Sequence, residues 1–503
     1  MSRRFTNTFI SWMLKKRYHQ LERFKKYPLE VQDELLRDLL RTASHTAYGK
    51  RYDFSSITDF QIFQDRLPIH TYESIEADIE RIRQGAQNIF WPTPIKWFAK
   101  SSGTTQAKSK FIPVSTESLK DCHYRAGKDM LSIFYTNHPE SKLLMGKTLS
   151  LSGSCEIYGR HQSHHGDLSA ILVENLPPWA ARSTTPSSKV ARMRDWESKL
   201  DAIAEETVEQ EVTGLAGVPS WMLALLNRIL EKTQKDSIAQ VWPNLELFLH
   251  GGVSFAPYAE PYKKIIGAPI DYCEIYNASE GFFAIQDQSD RKDLLLMLDC
   301  GIFYEFIPME AYGKEKPKTV SLKDVELQKN YAVVISTNAG LWRYQIGDTI
   351  KFTDLKPYRI RITGRTKHYI NAFGEELIIE NAEEALRCAA EQTRAQIKEY
   401  TAGPIFMKGK ESGAHEWIIE FYRPPADIAT FAEYLDKALK GLNSDYEAKR
   451  YRNITLNPPV IHRAKRGLFY DWMKKRGRLG GQNKVPRLSN SREYLEPLLQ
   501  MNL

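Results

Sequence analysis

Residues 98–115 read FAKSSGTTQAKSKFIPVS, and the chain changes character across them. Before this stretch, roughly the first ninety residues repeat apolar side chains at i, i+3, i+4 spacing, as in LEVQDELLRDLLRTA (29–43), which predicts helices. After it, short β-rich runs alternate with turns and helical segments: KFIPVS (110–115), KTLSLSG (147–153), LELFLHGG (245–252), PIDYCEIYNASEGFFAIQ (269–286), GIFYEFIP (301–308), NYAVVIST (330–337) and DTIKFTD (348–354). That alternation predicts an α/β fold, with sheets packed against helices. The stretch itself carries hydroxyls, one glycine and Lys100, Lys108 and Lys110 between two apolar flanks. Small residues let a backbone approach a phosphate, hydroxyls add donors and lysine supplies charge. Neither GxxxxGK[ST] nor GxGxxG occurs, and on composition alone a solvated Ser/Thr turn is an equal reading.

At 503 residues the chain is too long for one ordinary core, which predicts two or more domains. Its 42% hydrophobic and 26% charged residues are ordinary for a globular protein. No apolar run reaches the ~18 residues that span a bilayer. The basic opening, residues 1–26, has no long apolar segment or small-residue cleavage site, so it reads as an amphipathic surface helix and not as a secretory signal. Cys122, Cys155, Cys273, Cys300 and Cys388 are scattered with no CxxC pair, which points to a reducing, cytoplasmic setting without a disulfide framework or zinc ribbon. A net charge of +8 suits an anionic small molecule and argues only weakly for nucleic acid.

A texture change within YRIRITGRTKHYINAFGEELIIENAEEALRCAAEQ (358–392) places a domain boundary near Gly364 and Arg365. Residues 1–365 form the large domain and 366–503 a small α+β domain. Four more motifs invite a site reading. In CEIYNASEGFFAIQ (273–286), Tyr276, Ser279 and Glu280 stand where a strand ends, positions that could stack on a base, bind phosphate and hold Mg²⁺. In GLWRYQIGDTIKF, Asp348 follows a glycine at a strand start, where a carboxylate could take a pair of ribose hydroxyls. GRTKHYINAFGEEL sets Arg365 and Lys367 at the boundary, and GGQNKVPRLSN holds Lys484 in a glycine-flanked loop. Taken singly, each reads as readily as a turn, a charged linker or a basic tail. GRHQSHHGD, with His161, His164, His165 and Asp167, matches no standard zinc spacing and reads as a solvated loop.

Their order carries more than any one of them. SSGTTQAKSKFIP, YNASEG, WRYQIGD, GRTKHYINAFGEE and a late lysine, in that succession, resemble the acyl-adenylate-forming superfamily that includes firefly luciferase and acyl-CoA synthetases. Within it the chain is similar to the auxin-responsive promoter family of acyl-acid amido synthetases. RLPIHTYESIEADIERI, GVPSWMLALL, LHGGVSFAPY, YEFIP and KVPR extend the likeness from about residue 30 to the C-terminus. The resemblance implies a large domain of sheets packed with helices and a small swivelling C-terminal domain. It implies a two-step ligase using ATP and Mg²⁺: a carboxylic acid is converted to an acyl adenylate with release of pyrophosphate, and the amine of an amino acid then displaces AMP. By that resemblance Ser101, Ser102, Gly103, Thr104, Thr105 and Lys110 form the phosphate loop. Tyr276 stacks on adenine, Ser279 lies near the α-phosphate, Glu280 associates with Mg²⁺, and Asp348 binds ribose. Arg365 sits at the domain junction, Lys367 at the hinge, and Lys484 is the catalytic lysine. Val218, Trp221 and Phe255 occupy acyl-contact positions, and Arg125 either pairs with a substrate carboxylate or is a surface arginine. Two positions depart from the family pattern, Ala107 and Asn277, where glycine is frequent.

Two alternatives stand beside this reading. One keeps the adenylation and passes the acyl group to a thiol, coenzyme A or a carrier protein. The other takes the basic stretch 464–487 as a nucleic-acid-binding tail, which its lack of interleaved aromatic platforms disfavours.

Overall fold

A computed structural model describes the chain except residues 1–16, 102–109, 153–154, 158–162, 177, 194, 253–254, 256–257, 367–368, 371–376, 407–411, 444–445, 448–449, 451–455, 480–483 and 490. It divides into two compact units. The first comprises residues 1–346 and 350–361; the second comprises 347–349 and 362–503. The division falls just ahead of the Arg365 boundary read from sequence, and the short segment around Asp348 belongs to the second unit.

The strands, in chain order, are β1 (Trp97–Ser101), β2 (Lys110–Val114), β3 (Lys147–Ser150), β4 (Cys155–Ile157), β5 (His164–Gly166), β6 (Thr184–Thr185), β7 (Val212–Gly217), β8 (Leu247–Gly251), β9 (Asp271–Ala278), β10 (Gly281–Ile285), β11 (Leu294–Leu296), β12 (Ile302–Pro308), β13 (Asn330–Thr337), β14 (Tyr344–Leu355), β15 (Tyr358–Arg365), β16 (Tyr369–Ile370), β17 (Leu377–Ile378), β18 (Gln396–Ile405), β19 (Ala414–Arg423) and β20 (Val460–Arg463). A large sheet runs β12-β13-β14-β15-β11-β10-β9-β8-β7-β3-β6, and a small one runs β2-β1-β5-β4.

Within the large sheet, β3, β7, β8 and β9 are parallel neighbours. Parallel strands are covered on both faces, so they read as continuous apolar runs. LELFLHGG is such a run. Phe248 packs with the helices Trp196–Thr207, Pro219–Thr233 and Ala259–Ile266 on one face. Its neighbours Leu247 and Leu249 pack with Phe134 and Leu143 on the other. The N-terminal helix Pro28–Ala43 buries Leu36, Leu39, Leu40 and Ala43. Its buried Gln32 donates to the carbonyls of Leu298 and Ile302 and accepts from the Tyr304 N–H.

The second unit repeats the logic on a smaller scale. β18 and β19 are antiparallel, and β20 joins β19 in parallel. Trp417 and Ile419 on β19 face a core with the helices Ile379–Thr393 and Ile428–Leu442. Ile418, between them in sequence, faces the helices Leu468–Lys475 and Leu495–Asn502. The basic stretch 464–487 therefore contains a packed helix, Leu468–Lys475, with Leu468, Phe469, Trp472 and Met473 buried.

Candidate active site

In an open α/β sheet, ligands bind beyond the carboxyl ends of the parallel strands, where loops are free of the core. The registers Ser150↔Ala216, Gly217↔His250 and Gly251↔Ile275 bring the ends of β3, β7, β8 and β9 to a common edge. Val218 directly follows β7 and caps the helix Pro219–Thr233, whose first turn carries Trp221. Gly251 and Gly252 close β8, and Gly252 has a φ of +83°. A Cβ at Gly251 would stand 2.5 Å from the Ile275 carbonyl oxygen and 3.5 Å from Asn277 Oδ1, so β8 and the end of β9 meet closely. Tyr276 is buried on β9 with its ring 4.8 Å from that of Phe283. Ser279 and Glu280 form the turn into β10, Ser279 buried and Glu280 half-buried. That turn is held from behind by the Phe282 N–H, which donates to Cys122 Sγ at 3.3 Å. The sheet thus gathers Val218, Trp221, Phe255, Tyr276, Ser279 and Glu280 at one edge.

Phe255 stacks on His250 with ring centroids 4.1 Å apart and a 20° tilt, and lies 5.0 Å from the Tyr272 ring. His250 escaped the sequence reading, although it immediately precedes the double glycine. It is 2% exposed, its Nδ1 has no hydrogen-bond partner among the described residues, and burial holds its pKa down at about 4.

The small sheet carries the hairpin on either side of the phosphate-loop motif. Ser101 ends β1 directly opposite Lys110, which begins β2. Ser102, Gly103, Thr104 and Thr105 lie outside the described residues. The Lys110 ammonium lies over the Tyr72 ring, 5.6 Å from its centroid, and the Tyr72 hydroxyl accepts from the Phe111 N–H at 3.0 Å. His164 and His165 are part of β5, parallel to β1, and not of a solvated loop. Their rings pack on Trp97 at 4.8 Å and Phe111 at 5.2 Å, so the pair supports the hairpin.

Arg125 is already engaged within the protein. Its guanidinium donates to the Asp299 carbonyl oxygen at 2.8 Å and to Asp121 at 3.2 Å. Among the described residues, the single cluster with metal-ligand spacing is Asp129, Asp299 and Cys300. Arg17 bridges both of its carboxylates, so a cation already fills that role.

In the second unit, Asp348 is buried next to Gly347, whose φ is +86°. The Gly347 carbonyl accepts from the Thr366 N–H at 2.8 Å, and Thr363 Oγ1 donates to Thr349 Oγ1 at 2.9 Å. These bonds fix the backbone on both sides of Asp348. Arg365 ends β15, and Lys367 lies outside the described residues. Lys484 is exposed on an extended segment that runs to Ser489.

Comparison with known proteins covers most of the chain. Residues 17–270 match the GH3 family N-terminal domain, 295–365 the GH3 family central domain and 380–493 the GH3 family C-terminal domain. The chain is 22% identical over 546 residues to an indole-3-acetic acid-amido synthetase, GH3.3, of Arabidopsis thaliana, covering 93% of this chain and 90% of that protein. It is 22% identical over 566 residues to a jasmonoyl–L-amino acid synthetase, GH3.5, of Oryza sativa subsp. japonica, covering 94% of each. Its fold matches the solved GH3.15 acyl acid amido synthetase with a TM-score of 0.79 at 18% identity, over 96% of this chain and 95% of that one. A 2-hydroxyisobutyryl-CoA ligase in the postadenylation state matches with a TM-score of 0.57 at 12% identity, over 93% and 90%. The three domain matches follow one another through both units, with Tyr276, Ser279, Glu280 and Lys367 falling between them, and the chain belongs to the GH3 family.

Proposed function

We propose that this chain is an ATP-dependent acyl-acid amido synthetase, which adenylates a carboxylic acid and then passes the acyl group to the amine of an amino acid. The observation that supports it most is the strand-end edge of β7, β8 and β9, which carries the acyl-contact and nucleotide positions side by side in a chain of this family.

A free carboxylate is a poor electrophile. In the first step its oxygen attacks the α-phosphorus of ATP, the bond to the β-phosphate breaks and pyrophosphate leaves. Ser101 to Thr105 and Lys110 grip the departing phosphates, Tyr276 contacts adenine and Asp348 takes the ribose hydroxyls. Ser279 lies by the α-phosphate, Arg365 approaches the nucleotide from the domain junction, and Lys484 stabilises charge developing on the α-phosphate. Glu280, a half-buried carboxylate in a tight turn, offers the hard oxygen that Mg²⁺ takes, and the bound ion would offset phosphate charge. Val218, Trp221 and Phe255 wall the acyl group. In the second step the amine nitrogen attacks the acyl carbon and AMP leaves. Lys367 would serve as the hinge between steps.

The test is ATP–pyrophosphate exchange across a library of carboxylic acids, followed by amino acids and mass spectrometry of the products. Acid-dependent exchange and an amide product are expected. ADP in place of AMP and pyrophosphate would overturn the adenylation, and a thioester formed in preference to an amide would overturn the acceptor. No helix among the described residues is long and apolar enough to cross a membrane.

A further inference from the structure

We infer that Arg487 is a positioning residue for Lys484. The inference rests on the reading of Lys484 as the catalytic lysine, and the geometry that carries it lies wholly within the second unit. Lys484 begins a described segment that lies along β18. Thr401 Oγ1 donates to the Pro486 carbonyl at 2.5 Å, the Ala402 N–H donates to the Arg487 carbonyl at 2.9 Å, and the Ser489 N–H donates to the Ala402 carbonyl at 3.1 Å. The fully buried Leu488, which joins the core of Trp417 and Leu435, seats the far end of this segment.

The side chain of Arg487 anchors the end nearer Lys484. Its guanidinium pairs with Glu399 and lies 4.7 Å from the centroid of the Tyr400 ring. Both ends of the pair are largely shielded, with side-chain exposures of 14% and 17%. A planar fork held by a carboxylate on one side and an aromatic face on the other has one comfortable place. The register of the segment is thereby set three residues beyond Lys484. Glu399 stands opposite Glu420 on β19, and Lys398 already pairs with Glu420 at 2.7 Å. Arg487 is thus the counter-charge that Glu399 retains, and an arginine that left would expose two neighbouring carboxylates to each other. A lysine that must meet a phosphate within a fraction of an ångström needs such an anchor.

The experiment is a double-mutant cycle on the full chain, reading ATP–pyrophosphate exchange with an acid that supports it. Arg487→Met keeps most of the stem and removes the fork. It is expected to lower kcat roughly 10- to 100-fold, with KM for ATP changed less than about threefold, since the nucleotide pocket is untouched. Arg487→Lys should recover part of the loss. In a Lys484→Ala background, Arg487→Met should change exchange by no more than about twofold, because a residue that acts through Lys484 has nothing left to position. An equal fall in both backgrounds, or no fall in either, overturns the inference, since the first is what a structural role predicts. If Lys484→Ala alone leaves exchange intact, it is the assignment of Lys484 that fails, and the positioning role falls with it.

Discussion

Arg343, in the WRYQIGD motif, is the centre of the most consequential buried ion pair. Its side chain is 5% exposed and that of Glu305 is 0%. The guanidinium meets the carboxylate with Nε at 3.1 and 3.0 Å and Nη2 at 2.9 Å. Its remaining donors go to the carbonyls of Gln64 and Leu67 and to Thr319 Oγ1. The residue itself has a φ of +43°, a strained position that these bonds hold in place. Arg343→Met leaves Glu305 buried without a counter-charge, with the Thr319 hydroxyl still donating to it at 2.7 Å, or forces it to take up a proton. Breaking a buried pair from one side costs about 3–5 kcal/mol. The orphaned carbonyls add to that, at about 1 kcal/mol for each buried group left unsatisfied. Urea unfolding followed by tryptophan fluorescence is a direct assay, since Trp342 is the neighbouring residue and is 2% exposed. The transition of the first unit should move down by roughly 1 M urea or more. The double variant Glu305→Met/Arg343→Met should be less destabilised than Arg343→Met alone, because apolar replacements of both partners leave no buried charge. A single variant within about 1 kcal/mol of the parent, or a double variant worse than the single, would refute the claim that an unpaired buried charge sets the cost.

Three further outcomes are expected. Gly251→Ala forces a Cβ to 2.5 Å from the Ile275 carbonyl, so β8 and β9 must part at the candidate site; exchange activity should fall at least tenfold while far-UV circular dichroism is unchanged, and near-parental activity would show that this edge is not the site. Phe255→Ala removes a stacked wall of the proposed acyl pocket; KM for the acid should rise roughly tenfold with KM for ATP unaltered, and the reverse pattern would move Phe255 out of the pocket. His70, His123 and His250 are each pushed down to about 4 by burial, with Arg343 and Arg51 adding to the effect at His70. Their folded state stays neutral while the unfolded chain takes up protons near the ordinary value of 6.5, so their contribution is full above that pH and is lost as pH falls from there towards 4. Each can cost up to about 3 kcal/mol at the lower end, and a denaturation midpoint that does not move between pH 7 and 5 would contradict this.

The α/β fold was legible because its parallel strands advertise themselves. LELFLHGG is apolar at every core position, since Phe248 faces one layer of helices while Leu247 and Leu249 face the other. The strand ends were legible for the converse reason: once both faces are spent on packing, glycine, hydroxyl and charge can appear only where the strand stops, as at Gly251 and Ser279. β5 was not legible. Its residues are histidines and glycine, and its partner β1 lies far upstream, so nothing local distinguishes it from a loop. The helix Leu468–Lys475 was hidden by the lysines and arginines around it, although its four buried residues do repeat at helical spacing. Arg343 and His250 were missed because burial is invisible in a sequence: the motifs drew attention to Asp348 and to the double glycine, and the groups that hold those positions are their neighbours.

The same division of labour accounts for how the second unit presents its lysine. In the sheet β18-β19-β20, β18 is an edge strand, and an exposed edge invites pairing with other chains. Both faces of the sheet are already consumed, Trp417 and Ile419 by one core and Ile418 by the other. The edge is the surface on which a segment is laid by backbone bonds, with Leu488 reaching into the first core and Val485 packing against the second. The chain uses the segment that begins at Lys484, and Leu488 bridges Ala402 in parallel on that edge. Covering the edge and placing the lysine are one interaction. A segment held only by its backbone would do the first and not the second, because register on an edge is set by side chains. That requirement is met by the buried Leu488 together with Arg487 against Glu399 and Tyr400.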